Sequence, residues 1–434
     1  MIKLPRAGWL AALPAAACAA LAALAISACG SDDNKSTTTT PPAAEVPAPV
    51  VPRTIQSVRH VFVITLENQN YATTFAADSK APYLSKTLVA QGAHLQQYFG
   101  TSHVSLGNYI AMISGQSVTA DTQMDCMVYK DFALTGMADH GQAIGTGCVY
   151  PASIKTLPDQ LKAVNLTWKG YMEDMGNDPA RESATCGHPA LNATDATQSP
   201  QAATAGGVPA DQYATRHNPF AYFHSITDSP DCATSVVNLN KLTDDLKTVA
   251  TTPNFTFITP NLCNDGHDSP CVDGAPGGLV SADAFLQKWV PIIMASPAYQ
   301  QDGLIIINFD ESSYSSQAID TTTTPPTLNM IFSGQTCCNQ QPGPNVTFPI
   351  TQSFPASVSH YPYDINLVTQ SHGGDRTGAV LLSPFIKPGT VSTTPYNHYS
   401  MLKSLEDIFQ VGGYLGYAAQ DGLVSFGTDI FTNL

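Results

Sequence analysis

Two runs of the chain are apolar at nearly every position: His60-Val-Phe-Val-Ile-Thr-Leu66 and Gly303-Leu-Ile-Ile-Ile-Asn-Phe309. Runs of this length without alternation fit strands buried on both faces, as in a parallel sheet. Shorter apolar runs predict strands over residues 94–99, 167–172, 254–259, 328–332 and 379–382. Between them, apolar positions recur at helical spacing over residues 83–92, 106–113, 237–249, 282–294 and 399–411. Ser114-Gly115 and Gly412-Gly413 read as helix stops, and Thr156-Leu-Pro-Asp159 resembles a capping box opening a helix to Val164. Strands alternating with helices predict an α/β fold, a three-layer sandwich around a mostly parallel central sheet. Ligands in such folds sit beyond the carboxyl ends of strands. Residues 175–230, rich in Ala, Thr, Asn, Asp, Gly and Pro, predict a long irregular insertion.

The first residues follow other rules. Lys3 and Arg6 precede an Ala-rich apolar run that ends Ile26-Ser-Ala-Cys29. This resembles a bacterial lipobox. It predicts a lipoprotein signal peptide over residues 1–28 and lipidation of Cys29. The alternatives are an ordinary signal cut nearby or a retained anchor. Residues 29–54, with four consecutive Thr and five Pro, predict an extended tether. A single folded domain is expected over residues 55–434. The protein would then be exported and membrane-anchored, facing the periplasm or the cell exterior, with membrane contact through the lipid only. Eight further cysteines in an exported chain predict disulfides. Cys263 with Cys271 is a plausible local loop, Cys186 and Cys232 could staple the insertion, and Cys337 and Cys338 are expected to take different partners. With no Cys-x-x-Cys, a cysteine-based zinc site is not expected.

The charge changes the functional picture. The 434 residues carry 34 acidic and 19 basic side chains, a net −15. That argues against nucleic-acid binding and against adsorption to anionic lipid. It also disfavours anionic substrates unless a bound cation supplies positive charge.

Both long strands end in such a place. One leads into Glu67-Asn68, the other into Asp310-Glu311. In a parallel sheet the two pairs emerge on the same edge, where converging carboxylates need compensation. A divalent cation supplies it, and Glu67, Asn68, Asp310 and Glu311 form an oxygen-rich ligand set. The bland alternative is helix caps and solvated loop charges. A third segment, Thr101-Ser-His103-Val-Ser105-Leu-Gly-Asn108-Tyr109, follows a strand and opens a helix. A serine there has amide donors and the positive dipole end around it, as a phosphoryl group requires, although Ser102 or Ser105 could equally be a cap. Asn108 could donate to a phosphate oxygen. His267, His372 and His398 each follow or precede such elements and could bind metal, contact phosphate or transfer a proton. His60, His94, His140, His188, His217, His224 and His360 read as ordinary surface or capping residues.

Four segments together resemble the bacterial and fungal phosphoesterase family of secreted acid phosphatases and phosphatidylcholine-type phospholipases C. These are VFVITLEN at residues 61–68, HVSLGNY at 103–109, IIINFDE at 305–311 and SPFIKPGTVSTTPYNHYSMLKSLEDIF at 383–409. The resemblance implies an alkaline-phosphatase-like fold and a phosphoric ester hydrolase. Ser105 would be the nucleophile, forming a phosphoserine. Glu67, Asn68, Asp310 and Glu311 would surround a divalent metal ion. His103, Asn108, His267 and His398 would hold the phosphoryl group or assist proton transfer. Val104 and Gly107 replace two prolines of the family motif, which should loosen the turn, and Phe309 replaces a Trp. No Asp-His-Val follows Asp310-Glu311, so neither a second metal nor a role for His372 is implied.

The expected activity is that of an acid-type phosphomonoesterase acting on a phosphorylated small molecule. The alternatives are a phospholipase C cleaving phosphocholine-type lipids and a catalytically inactive envelope binding protein of the same fold. Family phospholipases carry twin-arginine signals and extra C-terminal modules, which favours the phosphatase here. Mg²⁺, Ca²⁺ or Mn²⁺ suits the oxygen ligands, while histidines would admit Zn²⁺ or Fe.

Overall fold

The central sheet has eight strands: β1 (His60–Leu66), β2 (Ala93–Leu95), β3 (Trp168–Met172), β4 (Val236–Asn238), β5 (Phe255–Thr259), β6 (Gly303–Phe309), β7 (Ala379–Leu382) and β8 (Thr390–Ser392). Their order is β8-β2-β7-β6-β1-β5-β3-β4. All neighbouring pairs are parallel except those that β7 makes with β6 and with β2. The computed structural model describes residues 54–356 and 362–434. The signal peptide, Cys29, the tether up to residue 53 and His360 lie outside the described residues. Among the described residues no helix is long and apolar enough to cross a membrane.

The unbroken apolar character of β1 and β6 reflects burial on both sides. Val61 and Val63 of β1, with Leu304 and Ile306 of β6, point into one core. That core is closed by α1 (Ser105–Ser114) and α3 (His398–Phe409), through Leu106, Ile110, Leu402 and Leu405. Phe62, Ile64, Ile305 and Ile307 point into the other, closed by α2 (Gly278–Met294) through Leu286, Val290 and Ile293. Helix, sheet, helix is the predicted three-layer sandwich.

Four local expectations change. Residues 237–249 are not one helix. Val236–Asn238 is the edge strand β4, and the chain then turns through Leu239–Lys241 into a single helical turn, Leu242–Asp245. The apolar residues at helical spacing are buried by pairing with β3 and by packing rather than by a continuous helix. Residues 94–99 split: Ala93–Leu95 joins the central sheet, and Tyr98–Phe99 pairs with Tyr396–Asn397. Thr327–Phe332 forms, but in a separate four-stranded sheet with Ser316–Asp320, Asp364–Thr369 and Ile350–Phe354, inserted between β6 and β7. Cys337 and Cys338 bond to each other rather than to different partners. The remaining bridges are Cys126–Cys148, Cys186–Cys232 and Cys263–Cys271. Cys186–Cys232 ties the insertion down.

Candidate active site

The register of β1 against β6 pairs Leu66 with Phe309. Glu67 and Asp310 therefore leave the sheet side by side. Both are completely buried. The Asp310 carboxylate accepts from the backbone amide of Asn68 at 3.2 Å. The Asn68 side-chain amide lies 3.1 Å from Glu67 Oε2 and 3.3 Å from Asp310 Oδ1.

α1 brings the serine. Ser105 is its first residue, and Ser105 Oγ donates to Glu67 Oε2 at 2.9 Å. One turn on, Tyr109 Oη donates to Glu67 Oε1. The helix starts after Val104, which sits at φ 75. A β-branched residue is strained there, and proline cannot reach that angle at all. This entry to the helix is thus built differently from the proline-bearing family turn. Asp125 Oδ1 accepts from the Leu106 amide at 2.9 Å, satisfying one N-terminal donor.

The insertion supplies what the sequence left in the background. His217 Nε2 lies 3.4 Å from Glu67 Oε1, and His217 Nδ1 lies 3.5 Å from Asp265 Oδ2. Its ring stacks on Tyr109 with centroids 5.1 Å apart. Ligand atoms of Glu67, His217 and Asp265 all fall within 4.8 Å of one another. Neighbouring Arg216 is buried, 3.6 Å from Asp125 Oδ2. Read alone, His217 was one histidine in a polar, irregular stretch. Its only sequence signal was adjacency to an arginine in an otherwise acidic chain.

These groups fit a bound cation. Asp310 Oδ2, Asp265 Oδ2 and both ring nitrogens of His217 are buried with no hydrogen-bond partner. Buried charges without partners are costly, so such orphans mark a missing positive group. Burial pushes the Glu67 carboxyl up to about 7, with Glu311 adding to the rise and His267, Tyr109 and Ser105 opposing it. Burial, then the charge of Glu67, pushes Asp265 and Asp310 well above the ordinary carboxylate range. Burial, with the positive charges nearby, holds His217 well below its usual value and keeps its ring neutral, as a ligand must be. Carboxylates, an amide and an imidazole suit a divalent ion.

The other sequence-selected residues fall into three positions. His103 is buried between two carboxylates, its Nδ1 against Glu311 Oε2 and its Nε2 3.0 Å from Asp375 Oδ2. Burial opposes its charge, but the two acids hold it up to about 9. Glu311 is thus turned toward His103. Asn108 spends its amide inside the loop: its Oδ1 accepts from the amides of Thr101 and Ser102, and its Nδ2 donates to Ser102 O. His398 is equally enclosed, with Nδ1 3.0 Å from Tyr98 Oη and Nε2 2.6 Å from the backbone carbonyl of Asp310. Burial lowers it to about 4. His267 lies at the rim, its side chain 37% exposed, with Nδ1 2.7 Å from Asp268 Oδ1. Burial works against its charge, and Asp268 raises it to about 9. His372 contacts Ser371 and Gln340 O and none of these carboxylates.

The sequence profile of the phosphoesterase family matches residues 69–412. An acid phosphatase of Aspergillus fumigatus is 24% identical over 250 residues, 58% of this chain and 44% of that protein. A phosphate-repressible acid phosphatase of Penicillium chrysogenum is 26% identical over 248 residues, 57% of this chain and 47% of that protein. A phosphatidylinositol-3-phosphatase of Mycobacterium tuberculosis is 24% identical over 258 residues, 59% and 65% of the two chains. The matched part spans about half the length of the fungal proteins. Among solved structures, a protein in the alkaline phosphatase superfamily from Vibrio parahaemolyticus aligns over 82% of this chain and 67% of its own. Its TM-score is 0.42 at 9% identity, too distant a likeness to transfer residues. With its profile matched over most of the sequence, the chain belongs to the phosphoesterase family.

Proposed function

We propose that the protein is a divalent-metal-dependent phosphoric ester hydrolase, a phosphomonoesterase of acid-phosphatase type that works through a phosphoserine at Ser105. One observation carries this reading. The Ser105 hydroxyl sits at the N-terminus of α1, 2.9 Å from a buried carboxylate whose neighbours Asp310, Asp265 and His217 hold orphaned ligand atoms. The names of the fungal and mycobacterial relatives support the phosphatase over a phospholipase C.

Glu67, Asn68 and Asp310 would hold the ion, with Asp265 and His217 adjoining. A divalent ion held there would draw charge from the phosphoryl oxygens and would make a serine hydroxyl easier to ionise. Glu67 Oε2, which already accepts the hydrogen bond of the Ser105 hydroxyl, takes that proton as Oγ attacks phosphorus and the ester oxygen leaves. His267, protonated at neutral pH and open to solvent at the rim, gives a proton to that oxygen. Water then attacks the phosphoserine, returning Ser105 and releasing phosphate. The amides of α1 and its dipole face the developing negative charge. His103 and His398 act as positioning residues, the first fixing Glu311 and Asp375, the second fixing the Asp310 backbone. Asn108 fixes the turn that presents Ser105. The four disulfides support an exported protein, and tethering through Cys29 belongs to the same proposal.

Metal removal tests the reading. Chelated, dialysed protein should lose at least about 100-fold in turnover of a chromogenic phosphate monoester. One of Mg²⁺, Ca²⁺, Mn²⁺, Zn²⁺ or Fe²⁺ should restore it, across a pH series. Full turnover in protein shown to be cation-free would contradict the proposal. Phosphocholine vesicles in the same panel separate the phospholipase C alternative.

A further inference from the structure

A second cleft, of about 250 Å³, opens beside the candidate centre. It lies between the loop after β1, the loop after β6, and the segment that carries Asp375 and Arg376. Asn70 and Ser313 join the first two walls, Asn70 Nδ2 donating to Ser313 Oγ at 3.0 Å. Ser312 directly follows Glu311, and Asp375 holds His103. Through Asp375 the wall of the cleft backs onto His103, two residues before Ser105.

Its one cation is Arg376. The guanidinium lies 4.2 Å from the centroid of the Tyr71 ring, which forms another wall. The backbone of Arg376 is fixed by its bridge to Phe99 and by a bond from the Tyr71 amide to its carbonyl at 3.0 Å. Among the described residues no carboxylate lies within ion-pair distance of it. The nearest acid in sequence, Asp375, is already engaged. Its Oδ1 accepts from Ser333 Oγ at 2.6 Å and from the Gln335 amide, and its Oδ2 faces His103. Burial opposes the ionised form of Asp375, but His103, Ser333 and Gln335 together hold its carboxyl below the usual range. An arginine held in place by an aromatic face, with no acid of its own, suits a bound anion.

We infer that this cleft is a subsite for a second anionic group of the substrate, a phosphate or phosphodiester carried by the part that leaves, with Arg376 as its specificity-determining residue. The inference rests on the phosphatase reading above. It names the substrate class as compounds bearing two phosphate groups rather than one. The second group has two sources, a soluble bisphosphorylated sugar or polyol, or the diester-linked headgroup of a phosphorylated inositol lipid.

The test compares wild type and Arg376→Gln, both loaded with metal, on three substrates. These are a chromogenic phosphate monoester, a soluble sugar bisphosphate, and neutral vesicles containing a phosphatidylinositol monophosphate. The quantity read is the ratio of kcat/KM for each two-phosphate substrate to that for the monoester. Arg376→Gln should lower this ratio at least tenfold, and Arg376→Lys should recover part of it. A fall for the soluble substrate alone, or for the vesicles alone, identifies the source. A ratio unchanged for both overturns the inference, even if all activity falls, because a purely structural arginine would affect the substrates alike. Binding of the soluble bisphosphate to Ser105→Ala, followed by calorimetry, should weaken on adding Arg376→Gln, which keeps the subsite testable apart from turnover. If wild type hydrolyses none of the substrates, the phosphatase reading has failed. Unchanged bisphosphate affinity in Ser105→Ala with Arg376→Gln then overturns the subsite as well.

Discussion

Replacing Ser105 by Ala should lower kcat for a chromogenic phosphate monoester by a factor on the order of 10³ or more, with the fold intact. The magnitude follows from what is lost. Ser105 is the group proposed to form the bond to phosphorus, and its hydroxyl is the proton donor to Glu67 Oε2. Packing changes little, because alanine keeps the Cβ, the helix start is set by Val104, and Asp125 still takes the Leu106 amide. Circular dichroism and thermal unfolding should therefore match wild type. Cation binding should persist, since the carboxylates remain. Turnover within tenfold of wild type, in protein free of contaminating phosphatase, would exclude Ser105 as the nucleophile.

The second large effect is at Asp310. Asp310→Asn should reduce turnover by about 100-fold or more by weakening the cation site, yet it should stabilise the cation-free protein. The sign follows from the carboxyl's environment. Burial and the nearby Glu67 and Glu311 raise its pKa in the folded state well above the 3.8 of an exposed group. The folded protein then keeps a proton that the unfolded chain has lost. Stability contributed by the protonated form is present at low pH and falls as pH rises above about 4. An asparagine removes that slope. Near neutral pH the cation-free variant should be more stable than cation-free wild type, with the gap closing as pH falls toward 4. Adding the activating cation should reverse the order, because wild type gains more from binding. Denaturant titrations with and without cation measure both. A variant less stable at every pH, with turnover retained, would make Asp310 a structural residue.

Much of this arrangement was legible in the sequence, for identifiable reasons. Continuous apolar runs at β1 and β6 report burial on both faces, the pattern of strands in a mostly parallel sheet covered on both sides. That alone puts Glu67 and Asp310 on one edge, as the Leu66–Phe309 register bears out. The helix behind Ser105 was legible from its spacing and from the Gly115 stop, which takes up the left-handed backbone at φ 67.

What escaped lies where local pattern and tertiary context part. Arg216 and His217 sit on a single 3₁₀ turn, Thr215–His217, and Asp265 on a loop, too short for periodicity to say which way a side chain points. Stacking on Tyr109 and the hydrogen bond from Thr259 Oγ1 to the His217 carbonyl, not local propensity, hold His217 beside Glu67. Asp375 was visible only as the end of a His-Gly-Gly-Asp stretch, and its contact with His103 spans 272 positions. Residues 237–249 failed for the opposite reason. Their apolar spacing satisfies a helix, but the first residues are captured by the edge of the sheet, and the rest form one turn. Tertiary pairing outweighs a helical preference of a few tenths of a kcal/mol per residue.

The central claim is that phosphate passes through Ser105. Acid quenching of metal-loaded wild-type protein during steady turnover, followed by peptide mass spectrometry, tests it most directly. The account predicts one added phosphoryl group on the peptide containing Ser105, located on that residue and absent from Ser105→Ala. Turnover proceeding at the full rate with Ser105 unmodified, or with the label on another side chain, would contradict it.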